Sequence, residues 1–154
     1  MGETGVDEAW TVESIIVSEN GQRALGRVAY WAAWVETSLT WVTVELLKDL
    51  GPARTAIAKG RTSGQLIELC RGLLEAGLEE PPGLSAVLNQ AKAALDRRNQ
   101  ILHSAIGGAL MRSDEEGLVA LWSRKGASRV VHESEFDAVA QDLFEANEAL
   151  GRFV

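Results

Sequence analysis

The sequence predicts an all-α fold: an antiparallel bundle of four to five helices with a small β-hairpin near its C-terminal end. Three observations predict it. Apolar residues recur at steps of three and four through most of the chain. Clusters of Gly and Pro punctuate that pattern at helix-length intervals. Only the segment "GLVALWSRKGASRVVHE" changes to short runs rich in valine, leucine and tryptophan.

The elements follow in order. "AWTVESIIV", within the first 17 residues, fits a short helix and an extended arm equally well. The stretch "ENGQRALGRVAYWAAWVETSLTWVTVELLKDLG" then holds a helix of roughly 28 residues, about 42 Å long at ~1.5 Å per residue. Ser18 or Asn20 can cap its start, and Gly51-Pro52 ends it. Ala24, Val28, Trp31, Val35, Leu39, Val42 and Leu46 form its stripe, which Trp34 and Trp41 widen. So broad an apolar face predicts contact on two sides, a core and a partner subunit.

"PARTAIAKG" reads as a connection of one or two helical turns. In "TSGQLIELCRGLLEAG", Thr62 and Gln65 form a capping-box pattern and Gly77 suits the helix end. Leu66, Ile67, Cys70, Leu73 and Leu74 are its core positions, with Cys70 a small packed residue. After the "EEPPG" turn, Pro82 fits a first helical turn, and the next helix runs from about Leu84 to Ile106, where Gly107-Gly108 ends it. The hairpin turns around Lys125-Gly126, with His132 as a surface or edge residue. A last helix, "SEFDAVAQDLFEANEALGRF", would be capped by Ser134 with Asp137 as reciprocal acid, and packs Phe136, Val139, Leu143, Ala146 and Leu150. Short connections predict antiparallel neighbours.

At 154 residues the chain reads as one domain, with a helical core over about 20–110 and the hairpin plus last helix over about 117–151. Its 46% hydrophobic and 24% charged residues are those of an ordinary globular protein, large enough to hold a core without staples. The single cysteine excludes an internal disulfide and a Cys-based zinc site. No run approaches the ~18 apolar residues of a membrane span. "MGETGVDEAW" lacks the basic start and apolar core of a signal peptide, so a cytoplasmic location is expected. The net charge of −7 repels nucleic acid at long range. A nucleic-acid function therefore needs a local basic patch. Candidates are Arg97 with Arg98, Arg112, and the group Arg124, Lys125 and Arg129. No glycine-rich phosphate loop, paired metal-binding histidines or serine-hydrolase context around Ser63 or Ser104 is present.

Chemistry concentrates in "AALDRRNQILHSAIGG". On a helical wheel at ~100° per residue, Val87, Ala91, Ala94, Leu102 and Ala105 fall within about 40° of Arg98. Arg98 thus sits in the middle of the apolar stripe. Asn99 and His103, one turn apart, share a flank roughly 100–140° away. An arginine so placed must be paired, must reach water or must meet an anion. Its planar fork matches a phosphate, and an imidazole is the side chain suited to proton transfer near neutral pH. Asn99 can orient the imidazole or contact a substrate. Such a set could cleave RNA without a metal: His103 moves the proton, and Arg98 stabilises the charge on phosphorus. One chain holds one such histidine; a symmetric dimer would supply an acid and a base.

Arg98-Asn99-x-x-x-His103, "RNQILH", resembles the signature of the HEPN superfamily, in which an arginine and a polar residue precede a histidine on a late helix of a helical bundle. Arg97 also fits the spacing. "WVETSL" on the long helix is similar to a Glu-x-x-Leu stretch of the partner helix, which implies that Glu36 lies near Arg98. The resemblance covers roughly residues 20–110. It implies a homodimeric, metal-independent endoribonuclease with no cofactor. Arg98, Asn99 and His103 would be catalytic, and Arg97 and Glu36 would bind the substrate. Members include toxins with a cognate antitoxin, defence proteins, and inactive dimerisation or protein-interaction modules. The alternative on the residues alone is such a non-catalytic module, with Arg98 a structural cation paired to Glu36 or Glu45 and the tryptophan stripe binding a partner chain.

Overall fold

The computed structural model describes residues 17–108, 117–123, 126 and 128–154. Five helices and three strands follow in the order α1 (Glu19–Leu46), α2 (Ala53–Ala58), α3 (Ser63–Glu75), α4 (Leu84–Leu102), β1 (Ala105–Gly108), β2 (Leu118–Trp122), β3 (Ser128–His132) and α5 (Ser134–Leu150). Short 3-10 turns at Lys48–Leu50 and Gly151–Phe153 follow α1 and α5. The N-terminal segment read as helix or arm lies outside the described residues, as do Arg112, Arg124 and Lys125.

The helices form where the periodicity places them. Ser18 caps α1, its hydroxyl accepting from the Gly21 N–H at 3.1 Å. The capping box of α3 is complete: Gln65 N–H donates to Thr62 Oγ1 at 3.3 Å, and Thr62 N–H donates to Gln65 Oε1 at 2.9 Å. Two otherwise unpaired donors are satisfied by two side chains. Thr62→Ala is therefore expected to cost about 0.5–2 kcal/mol in a denaturant titration, with Thr62→Ser nearly neutral. One core cluster runs through all the larger helices and the sheet, including Leu39, Ile67, Leu88, Val119 and Phe136. Thr43 is a buried polar residue beside it; its hydroxyl donates to Leu39 O at 2.7 Å and lies 3.3 Å from Cys70 Sγ. Burial pushes the Cys70 thiol up, as expected of a packed rather than reactive cysteine.

Three expectations are corrected. First, α4 ends at Leu102, and residues 105–108 form a strand. The hairpin is thereby the larger part of a three-stranded antiparallel sheet in the order β1-β2-β3. Ala105 pairs with Trp122, and Leu118 with His132. Second, Ser134 does not cap α5; it is the helix's first residue, and its N–H donates to His132 Nδ1 at 3.1 Å. Asp137, its expected partner, is ion-paired with Arg27 of α1. Third, neighbouring helices are not all antiparallel. Ser18, Arg27 and Ser38 of the α1 arm meet Glu133, Asp137 and Asn147, so α1 and α5 run in the same direction. Glu36 meets Ser63, and Thr43 meets Cys70, so α1 and α3 do too. The cause lies in the connections. The segment carrying α2 returns the chain before α3 begins, and α4 returns it before α5 begins beside the start of α1. Of the four longer helices, α4 opposes the others: Arg98 near its end contacts Glu36, while Asn89 nearer its start accepts from Arg71 of α3.

Candidate functional site

The buried face of α4 consists of Leu84, Leu88, Ala91, Ala94, Leu95 and Ile101. Arg98 lies within that face, and its side chain is only 14% exposed. It stays inside the bundle because acceptors meet it. Its Nη2 donates to Glu36 Oε1 across the α1–α4 seam, and its Nη1 donates to Asn99 Oδ1 at 3.1 Å. Nε is buried with no hydrogen-bond partner among the described residues. The guanidinium is thus held in place but under-satisfied, and a buried donor left unpaired costs about 1–3 kcal/mol.

Glu36 is the hub of the arrangement. Its side chain is 47% exposed, and Ser63 at the start of α3 approaches it with Oγ 3.5 Å from Oε1. A groove of about 470 Å³ opens beside it between α1 and the loop into α3, with Glu36, Thr40, Arg61 and Ser63 in its walls. On the other side of Ser63, a smaller recess of about 70 Å³ is lined by Gly64, Lys92, Asp96 and Asn99. Arg61 is oriented by its own Nε, which donates to Ile57 O at 2.6 Å.

His103 sits at the exposed C-cap of α4, where its backbone N–H still donates to Asn99 O at 3.1 Å. The helix therefore fixes where its Cα lies, one turn beyond Asn99. Arg97 faces away from Arg98 and is ion-paired with Asp142 of α5. Arg98 thus contacts both Asn99 and Glu36, His103 stands one turn beyond Asn99 along α4, and Arg97 serves a different helix seam. The sequence does not single out Arg61, and it offers Ser63 only as a hydrolase nucleophile without context. Nothing in "KGRTSG" marks them except the capping box, and only the return through α2 brings them to Glu36. Along the same helix as Glu36, Tyr30, Trp34 and Trp41 are 55%, 46% and 56% exposed. Trp31 alone of the α1 stripe's tryptophans packs inward, edge-on to Phe144 with ring centroids 4.9 Å apart.

No family model, no curated protein and no solved structure matches the chain. Its chemistry is therefore read from its own residues. Among the described residues, no group of three or more His, Cys, Asp and Glu side chains could hold a metal ion, and no helix is long and apolar enough to cross a membrane.

Proposed function

We propose that the protein is a HEPN-type endoribonuclease, acting as a homodimer on single-stranded RNA without a metal or cofactor. The observation that carries the proposal is the under-satisfied Arg98 guanidinium, held by Glu36 and Asn99 one helical turn from an exposed histidine. A phosphate oxygen would meet the small exposed part of the Arg98 fork, whose planar geometry suits it, while the buried Nε stays out of its reach. In the proposed reaction the ribose 2′-oxygen attacks the adjacent phosphorus and the P–O5′ bond breaks. The products are a 2′,3′-cyclic phosphate and a 5′-hydroxyl. His103 of one subunit takes the 2′ proton and His103 of the other protonates the leaving oxygen, which is the reason for two copies. Arg98 offsets the charge that grows on the phosphorane. Exposed Trp34 and Trp41 supply the dimer face, since apolar area of that kind is rarely left open on a monomer. The resemblance extends the reading to a cytoplasmic toxin or defence component held in check by a second protein.

The test is direct. Purified protein with a labelled single-stranded RNA in EDTA is expected to yield fragments ending in cyclic phosphate. The specific rate should fall on dilution as dimers dissociate. Absence of cleavage at every protein concentration, or cleavage that EDTA abolishes, would count decisively against the proposal.

A second reading is a non-catalytic helical dimerisation module. The Arg98–Glu36 ion pair favours it, because a carboxylate already occupies one end of the fork. Under that reading, His103 is dispensable for both stability and binding.

A further inference from the structure

The parallel course of α1, α3 and α5 has an electrostatic consequence. It brings the C-terminal ends of three helices to one end of the bundle, each equivalent to about half a negative charge. None of the three has a basic residue in its last turn. The opposing α4 starts there and its positive end offsets one of the three; its first donors are taken internally, Leu84 N–H by Pro81 O at 3.0 Å and Ser85 N–H by Glu80 Oε1 at 2.8 Å.

At this end lies a cavity of about 500 Å³, within the range of roughly 300–1,000 Å³ usual for ligand sites. Its floor is apolar, built from Val42, Leu46, Leu84 and Phe153. Its rim carries Glu45, Asp49, Glu79 and Glu80, against Lys48 as the one cation in the lining. The Ser85 hydroxyl and N–H hold the Glu80 carboxyl below the usual carboxylate range, so it stays charged through neutral pH. Pro81 and Pro82 form one wall, and their fixed backbone angles make that wall rigid before anything binds.

From this geometry we infer that the cavity docks a basic, amphipathic segment of a partner protein: an apolar side chain enters the floor, and flanking lysines or arginines meet the rim. A nucleic acid is repelled by the same carboxylates. A bare metal ion would leave the apolar floor unused, and a purely apolar peptide would leave the charge of the rim unmatched. The cavity is remote from Arg98 along α4, so this inference stands or falls independently of RNA cleavage.

Fluorescence anisotropy on the full chain tests it. The probe is a fluorescein-labelled peptide with Leu-Phe-Leu at its centre and lysines on both sides. It is expected to bind saturably and to weaken as salt rises. Replacing its apolar centre with Ser-Gly-Ser should weaken binding at least about tenfold, as should the double variant Glu45→Lys, Glu79→Lys, whose positions are exposed and whose helicity is checked by circular dichroism. The inference is overturned by no binding to the native protein, by equal binding of the Ser-Gly-Ser peptide, or by undiminished binding to the folded double variant. Displacement of the peptide by an equal concentration of spermine would assign the cavity to free polyamines instead and overturn it as well.

Discussion

His103→Ala is expected to lower RNA cleavage about 10²–10⁴-fold, the range of a lost general acid–base, while thermal stability stays close to that of the native protein. Both halves of the expectation come from position. The side chain is exposed, and the helix-end contact that fixes the residue, its backbone N–H to Asn99 O, survives any substitution but proline. Exposed substitutions away from special features usually change stability by no more than about 0.5 kcal/mol. In a composite site a mixed dimer lacks either the acid or the base. Adding excess His103→Ala subunits to the native protein is therefore expected to poison it, because native chains are drawn into mixed dimers. A stably folded His103→Ala protein that cleaves RNA at the native rate would remove His103 from the reaction and overturn the proposed mechanism.

Much of the architecture was legible because it rests on local patterns. The steps of three and four from Ala24 to Leu46 mark α1, and the Thr62–Gln65 pair marks the start of α3. The end of α4 was not legible. Ala105 and Ile106 are apolar in a run too short to separate a helical period from a strand, and pairing with Leu121 and Trp122 decides the matter. Helix direction was misjudged for a related reason. Loop length favours antiparallel neighbours only when nothing intervenes, and α2 between α1 and α3 reverses the outcome. The expected cap of α5 was likewise not legible, since Ser134 is engaged with His132 and Asp137 with Arg27 of α1, contacts that only the fold brings together. In the candidate site, the wheel put Arg98 on the buried face, and there it lies. The approach of Arg61 and Ser63 to Glu36 had no local signal, because residues distant in sequence meet only through the fold.

Arg98→Ala is expected to affect both properties at once, and Arg98→Lys to separate them. Alanine removes a guanidinium held across the α1–α4 seam and leaves its packed stem as a void, at a cost of about 1–3 kcal/mol in a denaturant titration. The cost stays below that of breaking a fully buried pair because Glu36 is about half exposed and water can take over its carboxylate. Cleavage should fall about 10²–10³-fold, the loss typical of one removed charge-stabilising donor. Lysine restores a cation that can still reach Glu36 but has no planar fork, so it cannot bind Glu36, Asn99 and a phosphate together. Arg98→Lys should therefore recover most of the stability and little of the activity. Glu36→Gln completes the comparison. It frees the fork from its competing carboxylate while keeping a hydrogen-bond acceptor. If Arg98 serves a phosphate, this variant should bind RNA at least as tightly as the native protein. If Arg98 is only a structural cation, Glu36→Gln should lower stability, leave RNA binding unchanged, and make Arg98→Lys as sound in function as it is in fold.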